Sequence, residues 1–130
     1  MRKALYTLLG ACLLCACQET MDQRCAREAE EFTRKSCPAM VNMNTRIDSL
    51  TFNPATRTIA YCYSLLREAD RPDAVNPAEA RRLLLQQVTN EPSMKPYRDA
   101  GYRIAYIYRS ASQPSQVLYQ TVFTEEDYKR

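Results

Sequence analysis

Two segments of the chain, residues 57–65 and 102–109, alternate strictly between large apolar side chains and smaller or polar ones, and they constrain the fold most strongly. A period of two is typical of a β-strand that buries one face. The large side chains of one parity are Ile59, Tyr61, Tyr63, Leu65, Ile104, Tyr106 and Tyr108. We therefore expect two strands whose aromatic faces line a common core. Their shared Ile-Ala-Tyr-x-Tyr pattern fits an internal duplication, although similar strand chemistry explains it equally well.

Each of these strands is predicted to have a hairpin partner. Residues 44–52 contain β-branched side chains and are joined to the first strand by the turn-forming residues 53–56. After the second strand, residues 111–114 form a turn and residues 115–124 alternate again. The sequence therefore predicts two antiparallel hairpins.

A helical pattern precedes the first hairpin. No Gly or Pro occurs in residues 18–35, where apolar residues recur at spacings of four, four and three. These residues are Met21, Cys25, Ala29 and Phe32. The spacing predicts an amphipathic helix, and Pro38 stops it because the residue before a proline avoids the helical conformation.

A second helix is predicted before the second hairpin. Asn76 can cap its first turn, Pro77 occupies its first position, and Glu79 places an acid at its third position. The helical spacing ends near Asn90, before Pro92. The order helix, hairpin, helix, hairpin predicts a small single α+β domain, with a four-stranded antiparallel sheet and helices on one face.

Histidine is absent from all 130 residues, and this excludes several classes of function. Without an imidazole there is no Ser-His-Asp triad, no Cys-His pair and no common zinc site. Gly101 is the only glycine after residue 10, which leaves no glycine-rich loop. We therefore expect no catalytic residue, no metal and no cofactor, and we do not expect an enzyme.

The first residues have the pattern of a secretory leader, and we expect them to be one. Arg2 and Lys3 precede about 13 mostly apolar residues, a run shorter than the ~20 that a membrane-spanning helix needs. Without the leader the chain carries 16 basic and 15 acidic side chains, which gives no electrostatic case for nucleic acid.

The end of the leader, Leu14-Cys15-Ala16-Cys17, resembles the lipobox of bacterial lipoproteins. The resemblance implies that residues 1–16 are a signal peptide cleaved before Cys17. It also implies that residues 17–130 form a domain tethered to a lipid bilayer through acyl chains on Cys17, palmitate among them. Leu9-Gly10-Ala11-Cys12 also fits the pattern, but Cys17 is the better site because polar residues follow it. Gln18 differs from the aspartate that marks inner-membrane retention in enteric bacteria, which favours the outer membrane.

The cysteines after Cys17 are Cys25, Cys37 and Cys62. Cys25 and Cys37 are separated by about 18 Å of predicted helix, too far for a disulfide, so any bridge must include Cys62. We expect Cys37 to pair with Cys62, with free buried thiols as the alternative.

The central residues 37–50, together with the later Tyr-x-Tyr pattern, resemble small uncharacterised bacterial domains. These domains share Pro-x-x-Val, Thr-Arg-(Leu/Ile)-Asp and Tyr-x-Tyr, present here as Pro38 to Val41, Thr45 to Asp48 and Tyr61 to Tyr63. They are typically exported or membrane-attached and have no assigned reaction. The resemblance therefore implies a fold and an envelope location but no activity.

Three further groups of residues have chemistry that could serve a function. The strand tyrosines could form a binding surface, but we expect them to fill the core. Arg46 and Asp48 share one strand face, and a surface ion pair, with Arg57 or Arg103 on a neighbouring strand, is expected there. Residues 125–127 are acidic and are expected to form a frayed C-terminus.

These expectations favour a non-enzymatic lipoprotein of the cell envelope that binds or scaffolds another envelope protein, through one sheet face. The alternative is a periplasmic inhibitor or immunity-type protein that acts on an enzyme or toxin. An exposed apolar or aromatic patch on the sheet face opposite the helices would favour a protein partner.

Overall fold

The structure of the protein is a computed structural model that describes residues 18–129. Cys17 and the predicted leader lie outside these residues. The helices are α1 (Met21–Ser36), α2 (Pro77–Asn90), α3 (Lys95–Asp99) and α4 (Glu125–Tyr128). The strands are β1 (Ala39–Asn42), β2 (Thr45–Asn53), β3 (Thr58–Leu65), β4 (Arg103–Ser110) and β5 (Val117–Phe123).

Helix α1 is anchored at its start and near its end. At the start, the Thr20 hydroxyl accepts from the Gln23 amide at 3.1 Å and the Gln23 side chain accepts from the Thr20 amide at 2.9 Å. This reciprocal cap satisfies two backbone donors that would otherwise lack partners. Near its end, the Thr33 hydroxyl donates to the Leu50 carbonyl at 2.8 Å and accepts from the Leu50 amide at 2.9 Å, so α1 is joined to β2.

Helix α2 confirms its predicted start and end. The Asn76 side chain accepts from the Glu79 amide at 3.1 Å, and Pro77 occupies the first turn. The helix buries Leu84 and Val88 and ends at Asn90, two residues before Pro92.

The predicted fold class is correct, but the sheet differs from the prediction. Within residues 18–129 it has five strands in the order β1-β2-β3-β4-β5, and β3 and β4 are parallel rather than antiparallel. The reason is that α2 lies between β3 and β4 in the chain. A helical crossover returns the chain to the end where β3 began, so β4 runs in the same direction.

The additional strand is β1, which pairs antiparallel with β2. All four of its residues are exposed. A strand without a buried face needs no alternating pattern, which is why period-two reasoning did not detect it.

The core confirms the predicted orientation of the strand tyrosines. Strands β3 and β4 pair in register, with Ile59 beside Ile104, Tyr61 beside Tyr106 and Tyr63 beside Tyr108. The members of the buried cluster from β3 and β4 are Ile59, Tyr63, Ile104 and Tyr106, with the half-buried Tyr61 and Tyr108 packed against it. Side chains from all four helices join the same cluster. They are Cys25, Leu84, Val88, Tyr97 and Tyr128. The sheet face that carries the strand tyrosines therefore faces the helices.

The C-terminal segment is ordered by the core, so the expectation of a frayed end is wrong, while Glu125 and Glu126 are exposed to solvent as expected. Thr124 and Asp127 form a reciprocal cap at the start of α4. Tyr128 is only 6% exposed, and its hydroxyl donates to the Tyr102 carbonyl at 2.6 Å. A tyrosine five residues past the last strand can therefore close one side of the core.

The expected pairing of Cys37 with Cys62 is not present. Cys25, Cys37 and Cys62 all have free thiols. Cys62 lies between Tyr61 and Tyr63, which face the helices, so alternation places its thiol on the opposite face of the sheet. Cys37 packs against the core cluster on the helix side. The sheet therefore separates the two sulfur atoms.

Candidate interaction surface

The two ends of the sheet differ in character. Asp22, near the start of α1, accepts a hydrogen bond from the Tyr102 hydroxyl and lies 3.4 Å from the Arg57 guanidinium. Arg57 and Tyr102 directly precede β3 and β4. The start of α1 therefore lies at the end of the sheet where β3 and β4 begin, which we call the entry end. Strands β3 and β4 run from there to the opposite end of the sheet, which we call the far end.

The far end carries an apolar groove of about 230 Å³ between the sheet and α2, which we call the far-end groove. It is lined by Leu65, Val75, Ala80, Leu83, Leu84, Tyr108 and Tyr119. Leu83 is 50% exposed, although α2 buries Leu84 beside it. The Tyr119 hydroxyl donates to the Pro77 carbonyl at 3.3 Å, which holds one wall of the groove to the start of α2. No charged side chain lines the groove, so it suits an apolar occupant.

A second apolar feature covers the end of β1 and the start of the turn to β2, residues 40–43, which we call the Met40–Met43 turn. Met40, Val41 and Met43 are 51%, 57% and 81% exposed, which makes them the most exposed large apolar side chains of residues 18–129. Arg67 donates to the Met43 carbonyl and fixes this turn to the segment that follows β3. Because Thr45 pairs with Leu65, the turn is also at the far end.

The sheet face opposite the helices carries small or half-buried apolar side chains at its centre. Its central positions hold Ala60, Cys62, Ala105 and Ile107, which are buried or half-buried. Larger exposed apolar side chains lie at the far end, on α1 and on the edge strands β1 and β5, where Met40, Val117 and Val122 border this face.

The hydroxyl groups of the tyrosines on β3 and β4 are uncharged near neutral pH. Burial raises the pKa of Tyr61 and of Tyr63 to about 12, and burial also raises the pKa of Tyr106 and Tyr108. A phenol with a raised pKa stays protonated at pH 7. These hydroxyls therefore contribute packing and hydrogen bonds but no nucleophile.

A smaller groove of about 200 Å³ lies between α1, α3 and the sheet, and its polar groups are already paired. The Tyr61 hydroxyl donates to the Met94 sulfur at 3.1 Å, and the Tyr97 hydroxyl donates to Glu28 at 2.5 Å. Burial raises the pKa of Cys25 in this groove to about 12, so its thiol is not reactive near neutral pH. We therefore regard this groove as part of the core packing.

The expected ion pair between Arg46 and Asp48 is present, with the Arg46 Nε 2.6 Å from the Asp48 Oδ1. The Ser64 hydroxyl on β3 donates to the other oxygen of Asp48. The register between β2 and β3 shifts at Asp48, so this network bridges an irregular point of the ladder. Arg57 does not join it but pairs with Asp22.

In residues 18–129, no group of three or more His, Cys, Asp or Glu side chains is placed to hold a metal ion. The same part of the chain contains no helix with the length and apolar character needed to cross a membrane.

The sequence matches one family model, described as a domain of unknown function (DUF8479), over residues 20–119. No curated protein matches the sequence. Among solved structures, a protein of Pseudomonas aeruginosa described as secreted has 12% identity and a TM-score of 0.67, with 85% of this chain and 98% of that chain covered.

Two further similar structures are pilotins of Vibrio type II secretion systems. EpsS of Vibrio vulnificus has 9% identity and a TM-score of 0.65, with 84% of this chain and 92% of its own covered. AspS of Vibrio cholerae has 12% identity and a TM-score of 0.60, with 82% and 90% covered. At these identities the similarity establishes a shared fold.

Proposed function

The chain belongs to the family of the domain of unknown function DUF8479, and we propose that it is a non-enzymatic lipoprotein of the bacterial cell envelope that binds a protein partner through the far end of its domain. The observation that carries this proposal is the position of the exposed apolar surface. The far-end groove and the Met40–Met43 turn lie opposite the end where the chain enters.

A lipid on Cys17 would place the entry end next to the membrane. Helix α1 begins at Met21, only four residues after Cys17, so the tether would be short. Strand β3 runs from the entry end to the far end over eight residues, about 26 Å, which sets the distance between the bilayer and the far end. An apolar surface at that distance is positioned for a protein rather than for the anchoring bilayer.

The character of the far-end groove supports a binding role. Its walls are apolar, and its tyrosines can also hydrogen-bond at the rim, a combination common in protein interfaces. Leu83, half exposed on α2, is the side chain through which a partner would gain most apolar burial.

The solved structures of similar fold are consistent with this location and role. One is described as secreted and two are pilotins of type II secretion systems. By analogy with these proteins, we propose that this chain is an envelope protein that acts by binding. The residue after Cys17 is Gln18 rather than aspartate, which favours the outer membrane.

The test is affinity capture from solubilised membranes of cells that express the full-length protein. We expect one stoichiometric partner to be retained by the wild type and lost with Leu83→Glu. Met21→Glu is the matched control because Met21 is exposed at the entry end, and it should retain the partner. Capture that is unaffected by Leu83→Glu would contradict the proposed surface. A captured enzyme or toxin that loses activity on binding would favour an inhibitor or immunity-type protein.

A further inference from the structure

The two edge strands of the sheet, β1 and β5, contain no charged residue. Each edge exposes apolar side chains, with Met40 and Val41 more than half exposed on β1 and Val117 and Val122 39% and 42% exposed on β5. Natural proteins usually place charged side chains on edge strands because unpaired backbone groups there recruit further strands. Both edges of this sheet lack charged side chains, and β1 is protected only by its shortness and its register shift.

The directions of the two edge strands are complementary. Strand β1 runs from the entry end to the far end, and β5 runs from the far end to the entry end. If a second copy stands beside the first in the same orientation, its β5 lies antiparallel to β1 of the first. Antiparallel pairing is the more stable arrangement of neighbouring strands.

We propose that copies of this chain associate side by side, with β1 of one copy paired antiparallel to β5 of the next. This inference rests on the proposed lipid anchor, because a common membrane gives all copies the same orientation. The helices of neighbouring copies then lie on the same face of a continuous sheet. The occupant of each edge is therefore a second copy of the chain.

Antiparallel pairing of like edges does not meet the same constraint. Antiparallel pairing of two β1 strands, or of two β5 strands, inverts one copy relative to the other. Their entry ends would then point in opposite directions, so both copies could not be anchored in one membrane. The arrangement of β1 against β5 is head to tail and leaves one free edge at each end of the assembly.

The contact is small, so the membrane must contribute to its formation. Strand β1 has only four residues, and its register shifts between Met40 and Asn42. At the other edge, the guanidinium of Arg81 on α2 lies 3.4 Å from the carbonyl oxygen of Val122 on β5. This side chain must move to admit a neighbouring strand. Interfaces below about 1,000 Å² are weak, but confinement on a membrane raises the effective concentration of the partners. We therefore expect association of anchored copies and monomers of the unanchored domain in dilute solution.

The experiment uses purified lipidated protein in vesicles of phosphatidylethanolamine and phosphatidylglycerol. Energy transfer is measured between copies that carry donor or acceptor dyes on a C-terminal tag. We expect wild-type transfer above the level of randomly placed copies, and loss of that excess when all copies carry Val41→Lys or all carry Val122→Lys. A mixture of Val41→Lys donors and Val122→Lys acceptors should recover transfer, because one intact β5 meets one intact β1.

Met21→Lys is the matched control, since it adds the same charge at an exposed apolar side chain of α1, outside both edge strands, and should leave transfer unchanged. Random transfer by wild-type protein that floats with the vesicles would overturn lateral association while leaving the proposed function intact. Failure to float would instead contradict the anchor. Energy transfer above the random level by copies that all carry Val122→Lys would overturn this arrangement and favour pairing of β1 with β1. Energy transfer above the random level by copies that all carry Val41→Lys would overturn it and favour pairing of β5 with β5.

Discussion

Tyr61 and Tyr106 lie side by side on the parallel strands β3 and β4, with ring centroids 5.0 Å apart and ring planes within 8° of each other. Tyr63 and Tyr108 repeat the arrangement two residues further on, at 4.7 Å. The Tyr-x-Tyr pattern that occurs twice in the sequence therefore forms two layers of stacked rings beneath the helices. Offset aromatic pairs of this kind contribute about 0.5–1.5 kcal/mol beyond the area that they bury.

Replacement of a stacked tyrosine should destabilise the domain strongly. Tyr106 is 2% exposed, so Tyr106→Ala should lower the free energy of unfolding by about 3–5 kcal/mol, as for other large aromatic truncations. Tyr61→Ala should cost less because Tyr61 is only half-buried. Urea denaturation measures both values. Leu83→Ala, at an exposed position, should change stability far less, and an equal effect of all three variants would contradict the assigned core.

The hydrogen bond of the C-terminal tyrosine should be measurable on its own. Tyr128→Phe keeps the ring but removes the donor to the buried Tyr102 carbonyl, which should cost about 1–3 kcal/mol. Tyr119→Phe removes a longer and exposed bond to Pro77 and should cost much less. Similar melting temperatures of Tyr128→Phe and wild type would show that α4 does not close the core.

The thiols of the domain should be free and differ in reactivity. Peptide mapping without reduction should find no bridge between Cys37 and Cys62, because the sheet separates them. Cys25 should react slowly with a thiol reagent in the folded state, since burial raises its pKa to about 12, and rapidly in urea. A mapped peptide that joins Cys37 to Cys62 would contradict the placement of these residues.

Stability should fall in alkaline solution. Burial raises the pKa of Tyr61 and Tyr63 from 10.0 to about 12, so the unfolded chain loses these protons more readily than the folded one. Their contribution is complete below pH 10 and is lost as the pH rises towards 12. Urea midpoints measured between pH 8 and pH 11.5 should decline above pH 10. Tyr63→Phe should make the decline shallower, whereas an unchanged slope would contradict the burial of this hydroxyl.

Cleavage before Cys17 and acylation of Cys17 remain predictions from the leader. Mass spectrometry of the mature N-terminus should find acyl chains on Cys17 and no residue before it. Cys17→Ala should release the protein from membranes or leave it uncleaved, while Cys12→Ala should have no effect. An acylated Cys12 would move the cleavage site to the other lipobox-like segment.

The sequence alone determined the elements whose signals are local. Alternation in residues 57–65 and 102–109 predicted β3 and β4 and the face of each tyrosine, because side-chain direction in a strand depends only on parity. Asn76 and Pro77 predicted the start of α2, because a helix cap depends on neighbouring residues. The ion pair of Arg46 and Asp48 could be predicted for the same reason, because the two residues are neighbours on one strand.

Only the tertiary structure decided how these elements meet. The sequence order did not reveal that β1 forms an edge, that Cys37 and Cys62 are separated by the sheet, or that Tyr128 reaches the Tyr102 carbonyl 26 residues away. The far-end groove likewise combines Leu65 of β3, Leu83 of α2 and Tyr119 of β5. Such contacts depend on the packing of segments distant in the chain, and side-chain periodicity within one segment carries no information about which other segment it will face.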